Sequence, residues 1–273
     1  MAHTILPVLR SNAMKTIAAL DFETTGLDPQ TGQVIEAAVI LLEVDNSKAL
    51  GRELESYTSM NDPGAPIPQE VMELTGITDE MVRGQKLDWI KFNAILKKAD
   101  LVIAHNARFD RGWAEKHGQF SSSAWGCTHA MIDWKRTHKM PCGTLRHIAW
   151  EHGYFPTSHR ALDDVRTMLH VLKQPTKSRP QETYFEEMLR NALAGKRLVL
   201  ARGSAFEKKD ALKSRQFFWS GLQKVWWSLV PEPEWEELKG WLERDIYNGR
   251  PTFETIPQVD FLAADFKTKY RLE

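Results

Sequence analysis

The 273 residues carry 36 basic and 36 acidic side chains, a formal net charge of zero and 42% hydrophobic residues. That is enough apolar material for one large domain and a small one, without a global basic footprint for nucleic acid. No apolar run reaches the roughly 18 to 20 residues of a membrane span, the N-terminus lacks a basic segment leading into an apolar run and cleavage site, and Cys127 and Cys142 form no Cys-x-x-Cys pair. Membrane association, secretion, a disulfide framework and a structural zinc site are therefore not expected, and a reducing cytoplasm is.

Residues 1–13 read as an N-terminal extension outside the fold. Two apolar runs, 16–21 and 34–44, read as buried strands, the first broken by Thr25-Gly26. A Pro-rich loop at 63–68 precedes a short helix, 69–74, with a stop at Thr75-Gly76. Further on come a helix over 90–98, a strand over 101–104, a helix over 107–117 and a helix over 158–172. Strands interleaved with helices predict a layered α/β domain over 14–173.

Residues 174–181 are polar, carry Pro175 and Pro180, and have the composition of a linker. Beyond it, 182–273 reads as a small α+β module: a helix over 182–194 stopped by Gly195, a strand over 197–201, a helix around 208–215, two aromatic strands joined near Gly221, and a helix over 233–247 stopped by Gly249. From 196 to 230 basic residues outnumber acidic ones, so charge in this chain is local.

The carboxylates carry the chemistry. Asp21 and Glu23 stand two apart at the end of the first strand, and period-two alternation puts both on one face. Such a pair raises its own pKa values unless a cation lies between the carboxylates, and hard oxygen donors suit Mg²⁺ or Mn²⁺. Taken alone, an Asp-x-Glu equally serves to open a turn before Gly26. Asp110 falls in the first turn of the helix after strand 101–104, where the helix dipole favours a negative charge. His159 and Asp164 flank the start of the helix at 158–172, with Asp163 reading as a solvated neighbour.

Three ordered segments connect these positions: Asp21-Phe22-Glu23-Thr24-Thr25-Gly26-Leu27, His105-Asn106-Ala107-Arg108-Phe109-Asp110, and His159-Arg160-Ala161-Leu162-Asp163-Asp164. Together they resemble the DEDDh family of 3′-5′ exonucleases, which includes the epsilon proofreading subunit of bacterial DNA polymerase III. The likeness runs from about residue 15 to 172 and takes in Thr75-Gly76-Ile77-Thr78.

The resemblance implies a ribonuclease H-like fold, a mixed central sheet flanked by helices, with the α+β module following it. It implies that Asp21, Glu23, Asp110 and Asp164 hold two divalent cations, Mg²⁺ or Mn²⁺, at the scissile phosphate, and that His159 takes a proton from the attacking water. It also implies that Thr24, Thr25, Leu27, His105, Asn106 and Phe109 line the pocket for the terminal nucleotide. Core packing for Leu27 and Phe109, and helix capping for Asn106, are the structural alternatives.

The implied substrate is the 3′ end of DNA, single-stranded or frayed, in proofreading or repair. Trimming of RNA ends and a non-catalytic nucleic-acid adaptor are the rival readings. The aromatics of 216–219 and 224–227, interleaved with Lys and Arg, suit either base stacking or the core of a small module. Glutamine followed by hydrophobics at 181–185 and 258–262 loosely resembles sliding-clamp-binding peptides, which would make a clamp or polymerase a partner.

Overall fold

The computed structural model describes residues 14–45, 49–118, 124–156 and 159–273. The extension read at 1–13 lies outside the described residues. The chain forms two compact units that divide between residues 190 and 191.

The first unit is built on five strands: β1 (Thr16–Thr24), β2 (Val34–Val44), β3 (Leu50–Met60), β4 (Leu101–Ala104) and β5 (Ala124–Cys127), in the order β3-β2-β1-β4-β5. β2 runs antiparallel to β1 and β3, whereas β4 runs parallel to β1 and β5, so the sheet is mixed. β1, β2 and β4 are apolar on both faces and buried, as expected for strands covered on both sides. β3 has no such signature: its Arg52, Glu53 and Glu55 are exposed. Charges of this kind protect an edge strand from unwanted pairing and also hide it from an apolar pattern search.

The helices are α1 (Gln69–Thr75), α2 (Asp79–Val82), α3 (Trp89–Leu96), α4 (Ala107–His117), α5 (Thr128–Met131), α6 (Leu145–Glu151), α7 (Ala161–Leu172) and α8 (Tyr184–Ala194). α1 ends at Gly76, whose φ of 68° is the left-handed cap that glycine favours. Asp88 starts α3 by accepting the Ile90 and Lys91 N–H groups at 3.0 and 3.1 Å. Phe92 of this helix meets Phe22 of β1 at a ring distance of 5.3 Å. Since Phe22 faces α3, alternation turns Asp21 and Glu23 to the opposite side of the sheet. There α7 packs against β1 and β2.

Two expectations for this part of the chain are corrected. α7 begins at Ala161 rather than 158, because His159 has a φ of 64°, outside the helical region; residue 158 itself lies outside the described residues. The segment 174–181 is not a free linker. Thr176 is buried, exchanges hydrogen bonds with Arg179 and donates its N–H to Glu182 O, and Pro175 bridges to Thr183.

The following turn of α8 belongs to the core of the first unit. Tyr184 is buried against Trp134, His138 and His152, at ring distances of 4.8, 4.9 and 5.3 Å. Glu187 accepts from His138 Nε2 at 2.9 Å, and Met188 rests on Gly126 of β5, where a Cβ would crowd Ile103 at 3.0 Å. The hydrophobic residues of the clamp-like peptide 181–185 are thus core residues here, and Phe261 and Leu262 of the second such peptide are likewise buried.

The second unit has an antiparallel four-stranded sheet of β6 (Lys196–Ala201), β7 (Phe218–Ser220), β8 (Val225–Pro231) and β9 (Glu254–Ile256), in the order β7-β8-β6-β9. Val199, Leu212, Phe217, Val230, Trp235, Leu238 and Leu242 form its core together with α9 (Lys209–Ser214) and α10 (Trp235–Trp241). The helix expected over 233–247 is shorter: a 3₁₀ turn precedes α10 and a π-helical turn, Leu242–Ile246, follows it. α11 (Phe266–Lys269) lies near the C-terminal end. No helix among the described residues is long and apolar enough to cross a membrane.

Candidate active site

Asp21 and Glu23 occupy the C-terminal end of β1, where the register with β2 shifts between Glu23 and Thr24. A bulge of this kind re-aims side chains at a strand end. The same end of the neighbouring β4 feeds α4, which carries Asp110, and α7 brings Asp164 and the preceding His159. The five positions joined by the sequence reading are therefore brought together by two strand ends and two helix starts. Ligand atoms of Glu23, His159 and Asp164 all lie within 4.8 Å of one another.

The electrostatics of the cluster are those of acids short of positive charge. Burial, followed by the charges of Asp110, Glu23, Asp164 and Glu36, pushes Asp21 well above the usual carboxylate range. Burial first, then Asp164, Glu36 and Asp110, pushes Glu23 up to about 8. Burial pushes Asp110 up to about 8 and Asp164 up to about 6, in each case against hydrogen bonds from backbone N–H groups. Asp110 is only 2% exposed, and its Oδ1 is buried with no hydrogen-bond partner among the described residues. An orphaned carboxylate oxygen among other acids fits a hard divalent cation, which would supply the missing partner and reverse the pKa shifts.

His159 donates its backbone N–H to Asp164 Oδ2 at 3.0 Å, which ties its left-handed backbone to the acid five residues on. Burial and the nearby Arg146 guanidinium of α6 lower the pKa of its imidazole, favouring the neutral ring.

The residues expected to line the nucleotide pocket fare differently. Thr24 donates its hydroxyl to Gly26 O at 2.6 Å, and Thr25 accepts the Gln33 N–H on its hydroxyl at 2.9 Å while donating its own N–H to Gln33 O at 2.8 Å. Both threonines hold the loop after β1. That loop presents Leu27 at 86% exposure, so Leu27 is not a core residue.

His105 has both ring nitrogens engaged, with Thr128 Oγ1 at 2.7 Å and Gly143 O at 2.9 Å, and burial with the charge of His129 pushes its pKa down to about 4. It braces β4 against the loop before α6. Asn106 stands at the N-terminus of α4 without a side-chain cap bond, so the capping alternative does not describe it. Phe109 is partly buried, edge to face with Trp113 at 6.1 Å.

Two residues without an assigned role in the sequence reading complete the site. Glu36 of β2 lies opposite Glu23 in the strand register and is buried. It accepts from Arg160 Nη2 at 2.8 Å and from the Ala161 N–H at 2.9 Å. The signal was present, since one acid sits inside the apolar run Val34-Ile35-Glu36-Ala37-Ala38, where an unpaired charge is costly.

A family model for RNase_T-type exonucleases, described as Exonuclease, matches residues 18–172. Among curated proteins, the PolC-type DNA polymerase III of Thermotoga petrophila is 30% identical over 175 residues, covering 57% of this chain and 11% of the relative. That of Halalkalibacterium halodurans is 36% identical over 111 residues, covering 40% of this chain and 7% of the relative. The chain thus spans about a tenth of the length of these relatives. Among solved structures, E. coli exonuclease I in complex with a dA16 oligonucleotide matches with a TM-score of 0.55 at 14% identity, over 95% of this chain and 68% of that one. The zinc-bound complex of E. coli exonuclease I with single-stranded DNA matches with a TM-score of 0.54, again at 14% identity and with coverage of 95% and 68%. Likeness at this identity shows the fold: a ribonuclease H-like unit followed by a separate small sheet.

Proposed function

The chain belongs to the exonuclease family, and from that premise we propose that it removes nucleotides from the 3′ end of single-stranded or frayed DNA as nucleoside 5′-monophosphates. The observation that carries this reading is the gathering of Glu23, His159 and Asp164 within 4.8 Å of one another, with Asp21 and Asp110 near enough for their charges to act on the same acids and Asp110 Oδ1 buried and unpartnered among the described residues. Acids arranged only for stability would be paired with cations or spread apart. The DNA-bound neighbours and the polymerase relatives favour DNA over RNA.

Asp21, Glu23, Asp110 and Asp164 would hold divalent cations, Mg²⁺ or Mn²⁺, which when bound stabilise negative charge on the entering and leaving oxygens and lower the pKa of water. His159, neutral at pH 7, accepts a proton on a ring nitrogen as the water oxygen attacks phosphorus. The bond from phosphorus to the 3′ oxygen breaks, and that oxygen leaves with the shortened strand. Asp164 fixes the backbone of His159, and burial, with the charge of Arg146, lowers the pKa of its imidazole. Leu27 is exposed where an apolar side chain can pack on the terminal base.

The test is digestion of 5′-labelled single-stranded DNA, and of RNA of the same sequence, in Mg²⁺ or EDTA. A metal-dependent ladder that shortens from the 3′ end, is lost in Asp21→Ala and is strongly reduced in His159→Ala is the expected result. Cleavage of RNA alone would replace DNA as the substrate. Binding of either strand without hydrolysis would favour the adaptor reading.

A further inference from the structure

We propose that the second unit carries a binding row for single-stranded DNA formed by Phe206, Lys209, Lys213, Trp226 and Trp219, so that this unit by itself grips a single strand. This inference rests on the reading of the chain as a DNA exonuclease.

The row is continuous within the unit. Phe206, in the 3₁₀ turn before α9, is 73% exposed, and Lys209 Nζ lies 4.3 Å from its ring centroid. Lys209 and Lys213 are four apart on α9 and so share one face. Lys213 Nζ lies 5.9 Å from the Trp226 ring centroid. Trp226 of β8 stands opposite Trp219 of β7, with ring centroids 5.5 Å apart and an interplanar angle of 60°. Trp219, on the edge strand of the sheet, is 51% exposed. Ring, ammonium, ammonium, ring and ring thus follow one another across the surface.

Core packing accounts for only part of this row. Trp226 packs in part against the core, but Leu212, Phe217, Trp235 and Leu238 form that core, and Phe206 and Trp219 lie outside it. The cations are also unengaged by acids. Arg202 and Arg215 are paired with Glu254 and Glu237, whereas neither Lys209 nor Lys213 makes an ion pair among the described residues. Exposed rings offer faces on which any base stacks, and ammonium groups beside them neutralise phosphates. A row of this kind fits an extended single strand, because duplex bases are already stacked on one another.

The experiment uses the full chain in EDTA, so that binding is measured without hydrolysis. Anisotropy of fluorescein-labelled dT16 is recorded for the wild type, Phe206→Ala, Trp219→Ala, Trp219→Tyr and Lys213→Gln. Hydrolysis of the p-nitrophenyl ester of thymidine 5′-monophosphate in Mg²⁺ or Mn²⁺ is followed in parallel, a substrate too small to occupy the row. The expected result is about tenfold weaker dT16 binding in each alanine variant. Trp219→Tyr, which keeps a ring, restores binding, Lys213→Gln reduces the salt dependence by about one phosphate, and ester hydrolysis is unchanged throughout. Wild-type affinity for dT16 in both alanine variants would overturn the proposal. Failure of the wild type to hydrolyse the ester under any metal would count against the nuclease reading alone, since the binding arm still decides the row.

Discussion

Glu36 and Arg160 form an ion pair across 124 residues of sequence, with Arg160 Nη2 2.8 Å from Glu36 Oε1. The second carboxylate oxygen receives the Ala161 N–H at 2.9 Å, so one acid holds both the residue after His159 and the first turn of the helix bearing Asp164. Glu36 also adds negative charge beside Asp21 and Glu23. Removing Arg160 leaves that charge buried and unpaired, whereas removing Glu36 relieves repulsion. The Arg160 side chain is 37% exposed, so Arg160→Ala is expected to destabilise the protein by about 2 kcal/mol and Glu36→Gln by clearly less, measured by urea denaturation without metal. Equal losses would mean that the pair acts only as a packing contact.

The acidic cluster sets a pH dependence of stability in the metal-free protein. Glu23 and Asp110, at about 8, and Asp164, at about 6, have folded-state pKa values raised above their unfolded ones. The folded state therefore binds more protons, and the stability contributed by the neutral forms is complete below pH ~4 and is lost as pH rises through 6 and then 8. In EDTA the melting temperature should fall between pH 5 and 9, and Mg²⁺ should remove most of that fall. A melting temperature that rises over this range in EDTA would contradict the assignment.

Asp110→Asn follows from the same argument at a single residue. The neutral amide keeps the size of the side chain and removes a buried charge, so at pH 8 without metal the variant should melt ~5 °C above the wild type. It should also show no detectable hydrolysis. Thermal melts and a nuclease assay on one preparation check both halves.

Arg146 should shift the acidic limb of activity. Its charge, together with burial, lowers the pKa of His159, so Arg146→Gln raises that pKa and moves the acidic limb of kcat/KM to higher pH. Activity lost equally at all pH values would assign Arg146 to substrate binding instead.

The boundary between the units can be tested by truncation. A fragment of residues 14–173 lacks Tyr184 and Glu187, which removes the ring packed on Trp134 and the acceptor of the His138 imidazole. It should be several kcal/mol less stable than a fragment of residues 14–194, as for loss of a buried aromatic together with a buried hydrogen bond. Equal chemical denaturation midpoints would restore the 174–181 segment to the role of a linker.

The sequence by itself located the inner strands and the helices that follow them, and it singled out five positions as candidates for the chemistry. Apolar runs mark strands covered on both faces, and spacings such as Asp21 to Glu23 carry facing information through strand periodicity alone. It also showed Arg160, but not what Arg160 holds, because its partner Glu36 lies on another strand. β3 was illegible because an exposed edge strand is polar, and β5, Ala-Trp-Gly-Cys, because it lacks the run of branched aliphatic residues that marks β4 at the same length and carries a glycine instead.

Only the tertiary structure decided that His105 is locked between Thr128 and Gly143, that residues 174–190 complete a core, and that Leu27 stands in solvent. It alone aligned Phe206, two lysines and two tryptophans in a row. Each of these depends on which side chains meet across long stretches of chain, and burial, pairing and charge at a residue are properties of those neighbours rather than of its own segment.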